Sequence, residues 1–133
     1  MKRVAPREHE IQAEIKTAVE LAGFTVYETT AYRQKGPSGV DKGIPDLLVA
    51  CDLYPHIYLG MEVKRDASKP KWSSPEQEQA ARANRFVVVD SAASALGFLE
   101  GWITEHYETL DPDAAIHLDK ISRVRKGLAG GKQ

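Results

Sequence analysis

Two short apolar segments separated by six residues do most to constrain the fold of this chain. Residues 43–50 and 57–64 are rich in apolar, partly β-branched side chains, and each segment has the length of a strand. The six residues between them include a proline and suit a hairpin connection. We therefore predict a β-hairpin around which the rest of the chain is arranged.

Three charged residues lie inside these otherwise apolar segments. Asp46 lies where the first strand begins, and Glu62 and Lys64 lie near the end of the second. Glu62 and Lys64 project together, because side chains two residues apart on a strand point to the same face. Burying two acids and a lysine is costly, and a divalent metal would offset that cost. The alternative is a salt-bridged sheet edge, which these three residues alone would favour.

The composition is that of an ordinary soluble domain. A chain of 133 residues with 42% hydrophobic and 28% charged residues is long enough for one domain with a core. Cys51 is the only cysteine, which excludes an intrachain disulfide and argues against a thiolate zinc site. No apolar run has membrane-spanning length and the N-terminus has no signal-peptide pattern, so we expect a cytoplasmic protein without membrane contact.

Positive charge is concentrated at the C-terminal end. Residues 120–133 contain five basic residues and no acid, whereas the whole chain has a net charge of −1. A basic tail on an acidic body is typical of a polyanion contact. A disordered, solubilising end has the same composition, and charge alone favours that second interpretation.

The N-terminal segment, residues 6–22, has the pattern of an amphipathic helix. Apolar residues recur at helical spacing, and Gly23 is a suitable stop. On a helix, Glu8 falls in the middle of the apolar stripe, while Glu10 and Glu14 fall on the far side. Glu8 is therefore the acid of this helix that we expect to face the core. A solvated Glu8 that favours the helix N-terminus is the simpler alternative.

Two loops carry positive charge close to the predicted hairpin. Residues 24–30 form a strand pattern, and the glycine-containing polar loop that follows carries Arg33, Lys35 and Lys42. The loop after Lys64 carries Lys69, Lys71 and the aromatic Trp72. We expect these five basic residues to contact phosphates, although a solvated connection would have the same composition.

The second half of the chain predicts a helix, a strand and a further helix. Ser74 as N-cap, a proline at N1 and Gln77 at N3 form a capping box, which opens a helix to about residue 85. Residues 86–90 form the clearest buried strand, and Ser91 caps a helix to about residue 107. A short strand or helix around residues 116–124 is possible, and we expect residues 127–133 to be disordered.

Four short motifs occur in order along residues 8–100. They are Glu-His-Glu-Ile-Gln at 8–12, Gly-Ile-Pro-Asp-Leu at 43–47, Glu-Val-Lys at 62–64 and Ser-Pro-Glu-Gln at 74–77. In this order and on these predicted elements they resemble the VRR-NUC family of PD-(D/E)XK nucleases. The long loop carrying Trp72 and the tail beyond residue 108 depart from the pattern of that family.

The resemblance implies a particular fold and domain division. The fold is α/β with a restriction-endonuclease-like αβββαβ core, in which a mixed central sheet is flanked by helices. Residues 1–108 would form the nuclease domain, and residues 109–133 would form a C-terminal extension with a basic tail.

The same resemblance implies a metal centre for phosphodiester hydrolysis. Asp46 and Glu62 would bind Mg²⁺ or Mn²⁺, and the backbone carbonyl of Val63 would add a ligand. Glu8 would bind the metal directly or through water.

Two further residues complete the site that the resemblance implies. Lys64 would hold or help to deprotonate the attacking water, or stabilise charge on the phosphate. Gln77 would position Lys64 or the water, provided that its side chain turns inward from its capping position.

The substrate that the family implies is branched DNA, such as a four-way junction, cut by a homodimer with two symmetric sites. A non-catalytic nucleic-acid-binding module with a nuclease-like fold is the alternative from a different functional class. Sequence-specific cleavage ranks last, because the chain is short for a separate recognition domain.

Overall fold

The computed structural model describes residues 7–29, 43–51, 57–106 and 112–130. Within these ranges the protein is α/β, with four helices and a mixed four-stranded sheet. The elements in chain order are α1 (Glu8–Leu21), β1 (Thr25–Glu28), β2 (Leu47–Ala50), β3 (Tyr58–Val63), α2 (Pro75–Arg82), β4 (Val87–Val89), α3 (Ala92–His106) and α4 (Pro112–Gly130).

The strands lie in the sheet in the order β1-β2-β3-β4. β2 pairs antiparallel with both β1 and β3, which confirms the predicted antiparallel pairing at the centre of the fold. β4 lies parallel to β3, and a parallel neighbour requires a crossover connection. Helix α2 supplies that crossover, which places it over the end of β3.

The hydrophobic core lies between one face of the sheet and helices α1 and α3. Strand residues alternate in burial, so that Leu47 and Val49 are buried while Leu48 and Ala50 are partly exposed. The apolar stripe predicted for α1 is buried against this face, as are the apolar residues of α3. The buried residues of the two helices are Ile11, Ile15, Ala18, Val19, Ala92, Ala95, Leu96, Leu99 and Ile103.

Both predicted helix caps are present. The Ser74 hydroxyl accepts a hydrogen bond from the backbone N–H of Gln77 at 3.2 Å, and the Ser91 hydroxyl accepts from the N–H of Ser94 at 3.0 Å. Each side-chain oxygen satisfies a backbone donor that the first turn of a helix leaves without an intrahelical partner. These two serines therefore determine where α2 and α3 begin.

Helix α2 ends three residues earlier than predicted. Asn84 adopts a left-handed conformation with φ of 56°, and the N–H of Arg85 bonds the carbonyl of Ala80 at 3.1 Å. This is the Schellman arrangement, in which the residue after the cap reverses the chain. Asparagine tolerates left-handed backbone better than most other non-glycine residues, so Asn84 could have indicated the helix end.

The C-terminal segment forms a long helix. Ala114 and Ile121 of α4 are buried in the same core as α1 and α3, because apolar residues recur along one face of α4. The expectation of disorder from residue 127 is therefore wrong for residues 127–130, which are helical, while residues 131–133 lie outside the described ranges.

Part of the basic charge of this segment is paired on the protein surface. Arg123 lies 2.9 Å from a carboxylate oxygen of Asp119, and Arg125 lies 2.8 Å from one of Glu100. The contact with a polyanion and the division at residue 108 stay predictions. None of the described helices is both long enough and apolar enough to cross a membrane.

The packing of α4 predicts unequal effects of two isoleucine substitutions on this helix. Ile121 is fully buried, whereas Ile116 is 53% exposed. Ile121→Ala should lower the free energy of unfolding by about 3 kcal/mol, and Ile116→Ala should change it by less than about 0.5 kcal/mol. Urea denaturation of the two variants measures both values, and equal small effects would show that α4 does not belong to the core.

Candidate active site at the ends of the central strands

The register of β2 and β3 brings Asp46 and Glu62 together. Leu47 pairs with Met61, so the same register places Asp46 opposite Glu62 one residue further along. The backbone N–H of Asp46 donates to Oε1 of Glu62 at 3.1 Å. Side chains at directly opposed positions lie on the same face of a sheet. The two acids therefore meet on the face that α1 and α3 leave uncovered.

Pro45 changes the hydrogen bonding at the end of β2. The register places Pro45 opposite Val63, but proline has no N–H to donate to the Val63 carbonyl. The Pro45 carbonyl accepts the hydroxyl of Thr29, and the N–H of Val63 instead donates to Oδ2 of Asp46 at 2.9 Å. The N–H and C=O of one strand residue point to the same side. The Val63 carbonyl therefore points to the side of β3 on which Asp46 lies.

Three buried polar side chains form a connected network beside Asp46. Glu62, Lys64 and Gln77 are exposed by only 2%, 5% and 1%. Nε2 of Gln77 donates to Oε2 of Glu62 at 2.7 Å, and Nζ of Lys64 donates to Oε1 of Gln77 at 3.1 Å. Nζ of Lys64 also lies 3.3 Å from Oε2 of Glu62. Each buried charge thus has an opposite charge and a hydrogen-bonding amide as neighbours, which offsets part of the cost of burial.

Gln77 reaches this network because its main chain and side chain act separately. Its N–H is bound by the Ser74 cap, while its side chain points inward to Glu62 and Lys64. The N–H and hydroxyl of Ser73 both donate to the Gln77 side-chain oxygen at 3.2 Å. The inward orientation required for the predicted role is therefore present, and Ser73, which was not predicted as a site residue, joins the network.

Trp72 covers the network from outside. Its ring centroid lies 5.5 Å from Nζ of Lys64, and its ring packs at a tilt against Phe86 at 6.3 Å between centroids. The sequence showed an aromatic residue in a basic loop but gave it no role at the site. Its position after the Glu-x-Lys motif and directly before Ser73 is the signal that could have indicated the contact.

Lys64 forms part of the wall of an open, predominantly basic cleft of about 570 Å³. Four other basic residues line it, and two acids lie among them. The lining residues other than Lys64 are Arg7, Glu8, Arg65, Asp66, Lys69 and Lys71. The sequence predicted Lys69 and Lys71 as phosphate contacts and missed Arg7 and Arg65, which flank the first helix and the Glu-x-Lys motif. The other predicted contacts, Arg33, Lys35 and Lys42, lie outside the described residues.

One hydrogen bond ties the loop that carries the basic residues to Asp90, and two others shape the loop itself. The N–H of Ala67 donates to Oδ2 of Asp90 at 3.0 Å, which ties the loop to the end of β4. The hydroxyl and N–H of Ser68 donate to Oδ1 of Asp66 at 2.6 and 2.9 Å. These hydrogen bonds lower the pKa of Asp66 below its ordinary value, because they favour the ionised carboxylate. The loop therefore has a defined turn next to Lys64.

Glu8 lies at the cleft and not in the core. It is exposed in the first turn of α1, so the expectation that it faces the core is wrong: burial of the apolar stripe begins only at Ile11. It lines the same cleft as Lys64. Within the described ranges, no group of three or more histidine, cysteine, aspartate or glutamate side chains is arranged to hold a metal. Glu8 as a metal ligand stays a prediction.

The oxygen donors at the site nevertheless fit a hard divalent cation. Asp46 and Glu62 place two carboxylates at opposed positions of neighbouring strands, and Lys64 brings one positive charge to the carboxylate of Glu62. The Val63 carbonyl adds an oxygen on the same edge. Mg²⁺ is commonly held by one or two carboxylates, with water and substrate phosphate completing its shell, and does not require an all-protein cage. The donor set is therefore suited to Mg²⁺ or Mn²⁺ and unsuited to a soft metal.

Comparisons of this chain with protein-family models, with curated proteins and with solved structures found no match.

The network predicts that two glutamines of α2 differ sharply in their contribution to stability. Gln77→Ala removes the amide between Glu62 and Lys64 and should lower the free energy of unfolding by about 2–3 kcal/mol. Gln79 is exposed on the same helix, so Gln79→Ala should change stability by less than about 0.5 kcal/mol. Chemical denaturation compares the two, and equal losses would show that the Gln77 amide does not support the network.

Proposed function

We propose that the protein is a metal-dependent nuclease that hydrolyses phosphodiester bonds in DNA. The observation that carries this proposal is the placement of Asp46 opposite Glu62, with the ammonium of Lys64 3.3 Å from the second carboxylate. A salt bridge at a sheet edge, the alternative interpretation of these three residues, does not require a neighbouring cleft. This group instead borders a cleft with four further basic residues.

The order of the elements supports the same proposal. A helix, three strands, a helix and a fourth strand follow one another, with the parallel strand placed beside β3. We propose that this is a restriction-endonuclease-like core and that the chain belongs to the VRR-NUC family of PD-(D/E)XK nucleases.

The residues of the site would have different roles in hydrolysis. Asp46, Glu62 and the Val63 carbonyl would hold Mg²⁺ or Mn²⁺, which when bound would make a water more acidic and neutralise charge on the phosphate. An ammonium has three N–H donors. Among the described residues, that of Lys64 contacts Gln77 and Glu62, so its third N–H can donate to an oxygen in the cleft. Lys64 would use it to orient the attacking water or to stabilise charge on the phosphate.

The cleft supports a polyanionic substrate. Arg7, Arg65, Lys69 and Lys71 line it together with Lys64, and their charges can bind successive phosphates of a nucleic-acid backbone. Phosphate contacts position a nucleic acid without reading its sequence. This favours selection of a DNA shape over selection of a base sequence. A preference for branched DNA and action as a homodimer are part of the proposal and rest on the family resemblance alone.

Cleavage assays on a panel of labelled DNAs test the proposal. The panel contains a four-way junction, a flap, a single strand and a linear duplex, each with Mg²⁺, Mn²⁺ or EDTA. We expect metal-dependent products, with the junction cut fastest. Asp46→Asn and Lys64→Met should lower the rate by roughly a thousandfold, because each removes a group that stabilises the transition state.

The control for these variants is Asp119→Asn, which alters an exposed ion pair on α4 and should cut at the wild-type rate. Folding of each variant is checked by circular dichroism. DNA binding without cleavage in any metal would contradict the enzyme and support a non-catalytic binding module. Products that persist in Asp46→Asn would show that another site performs the chemistry.

A further inference from the structure

Lys64 has a flexible side chain that must be held in one orientation if its ammonium is to act at a defined point. Two contacts fix the ammonium from the polar side, namely Oε1 of Gln77 at 3.1 Å and Oε2 of Glu62 at 3.3 Å. Both contacts come from buried side chains. A lysine with four rotatable bonds needs a contact on another side to prevent rotation into the open cleft.

We propose that Trp72 is the positioning residue that holds the Lys64 ammonium against Glu62 and Gln77. The ring of Trp72 lies 5.5 Å from Nζ of Lys64, within the range of a cation–π contact. The inference rests on the proposed function, because positioning matters only if Lys64 takes part in catalysis.

The position of Trp72 is itself fixed from two directions. Phe86, which is buried, packs behind the indole ring at 6.3 Å between centroids. The next residue, Ser73, is held by two hydrogen bonds to the side-chain oxygen of Gln77. The ring and Gln77 are therefore linked through one peptide unit. Gln77 contacts Lys64 from inside and Trp72 covers it from outside.

Trp72 is placed to act through Lys64 and not on the substrate. Two lysines of the same loop, Lys69 and Lys71, line the basic cleft, but Trp72 does not. Loss of the ring should therefore disturb the orientation of Lys64 while leaving the phosphate contacts in place. The expected kinetic effect is a lower kcat at an unchanged KM.

Three variants separate the aromatic contact from simple packing. Trp72→Phe keeps an aromatic face over the ammonium, and Trp72→Leu keeps apolar bulk without that face. Trp102→Leu is the matched control, because Trp102 lies on α3 and stacks on His106 at 4.8 Å between ring centroids. We expect kcat to fall roughly tenfold in Trp72→Leu, to recover most of that loss in Trp72→Phe, and to stay at the wild-type value in Trp102→Leu.

A spectroscopic measurement tests the contact without any catalysis. In protein labelled with ¹³C at the lysine ε-carbons, the signal of Lys64 should be displaced by the ring current of the indole. Lys64→Arg assigns that signal by its absence. The displacement should be retained in part in Trp72→Phe, lost in Trp72→Leu and unchanged in Trp102→Leu.

The two measurements separate failure of this inference from failure of the proposed function. An unchanged Lys64 signal in Trp72→Leu would overturn the inference whether or not the protein cuts DNA. A loss of DNA affinity with unchanged kcat would also overturn it, because Trp72 would then contact the substrate. A wild-type protein that cuts no DNA would refute the nuclease proposal, and with it the catalytic part of the role of Trp72.

Discussion

The meeting of two carboxylates and one ammonium at the ends of β2 and β3 is the interaction on which the site depends. An ionised group removed from water is stabilised only where opposite charge and hydrogen bonds replace the lost hydration. Glu62 satisfies that requirement through Lys64 and Gln77, and Asp46 through the N–H of Val63. The two carboxylates and the ammonium together still carry a net charge of −1, which favours binding of a divalent cation there.

The fold holds this group in place through features that have little to do with charge. The core of α1, α3 and one sheet face fixes the register of β2 and β3, so that a slip of one residue would send the acids to the wrong side. Gly60 allows Pro45 and Phe86 to pack close to the backbone of β3. A Cβ at Gly60 would lie 2.8 Å from Cγ of Pro45 and 3.1 Å from Cβ of Phe86. A glycine inside a strand often marks such an approach.

The sequence was informative wherever one residue determines local structure, and less so where distant segments meet. The Ser74 and Ser91 caps, the buried stripe of α1 and the place of Glu62 in β3 follow from spacing and side-chain chemistry, and all are present; β2 begins only at Leu47, directly after Asp46. The orientation of Gln77 could be stated only as a condition, because a glutamine at N3 can turn toward its own helix or away from it.

Trp72 and Ser73 were missed because their contacts depend on the path of a whole loop. Helix α4 was underestimated because the glycines and basic residues near its end weaken the helix pattern, although Ile121 is fully buried.

Binding of Mn²⁺ to the intact protein, measured by isothermal titration calorimetry without DNA, tests the central claim most directly. The claim is that the acids at 46 and 62 share one divalent cation beside the lysine at 64. It predicts one Mn²⁺ per chain, with affinity more than about tenfold weaker in both Asp46→Asn and Glu62→Gln. Equal Mn²⁺ affinity in the wild type and in both folded variants would contradict the claim.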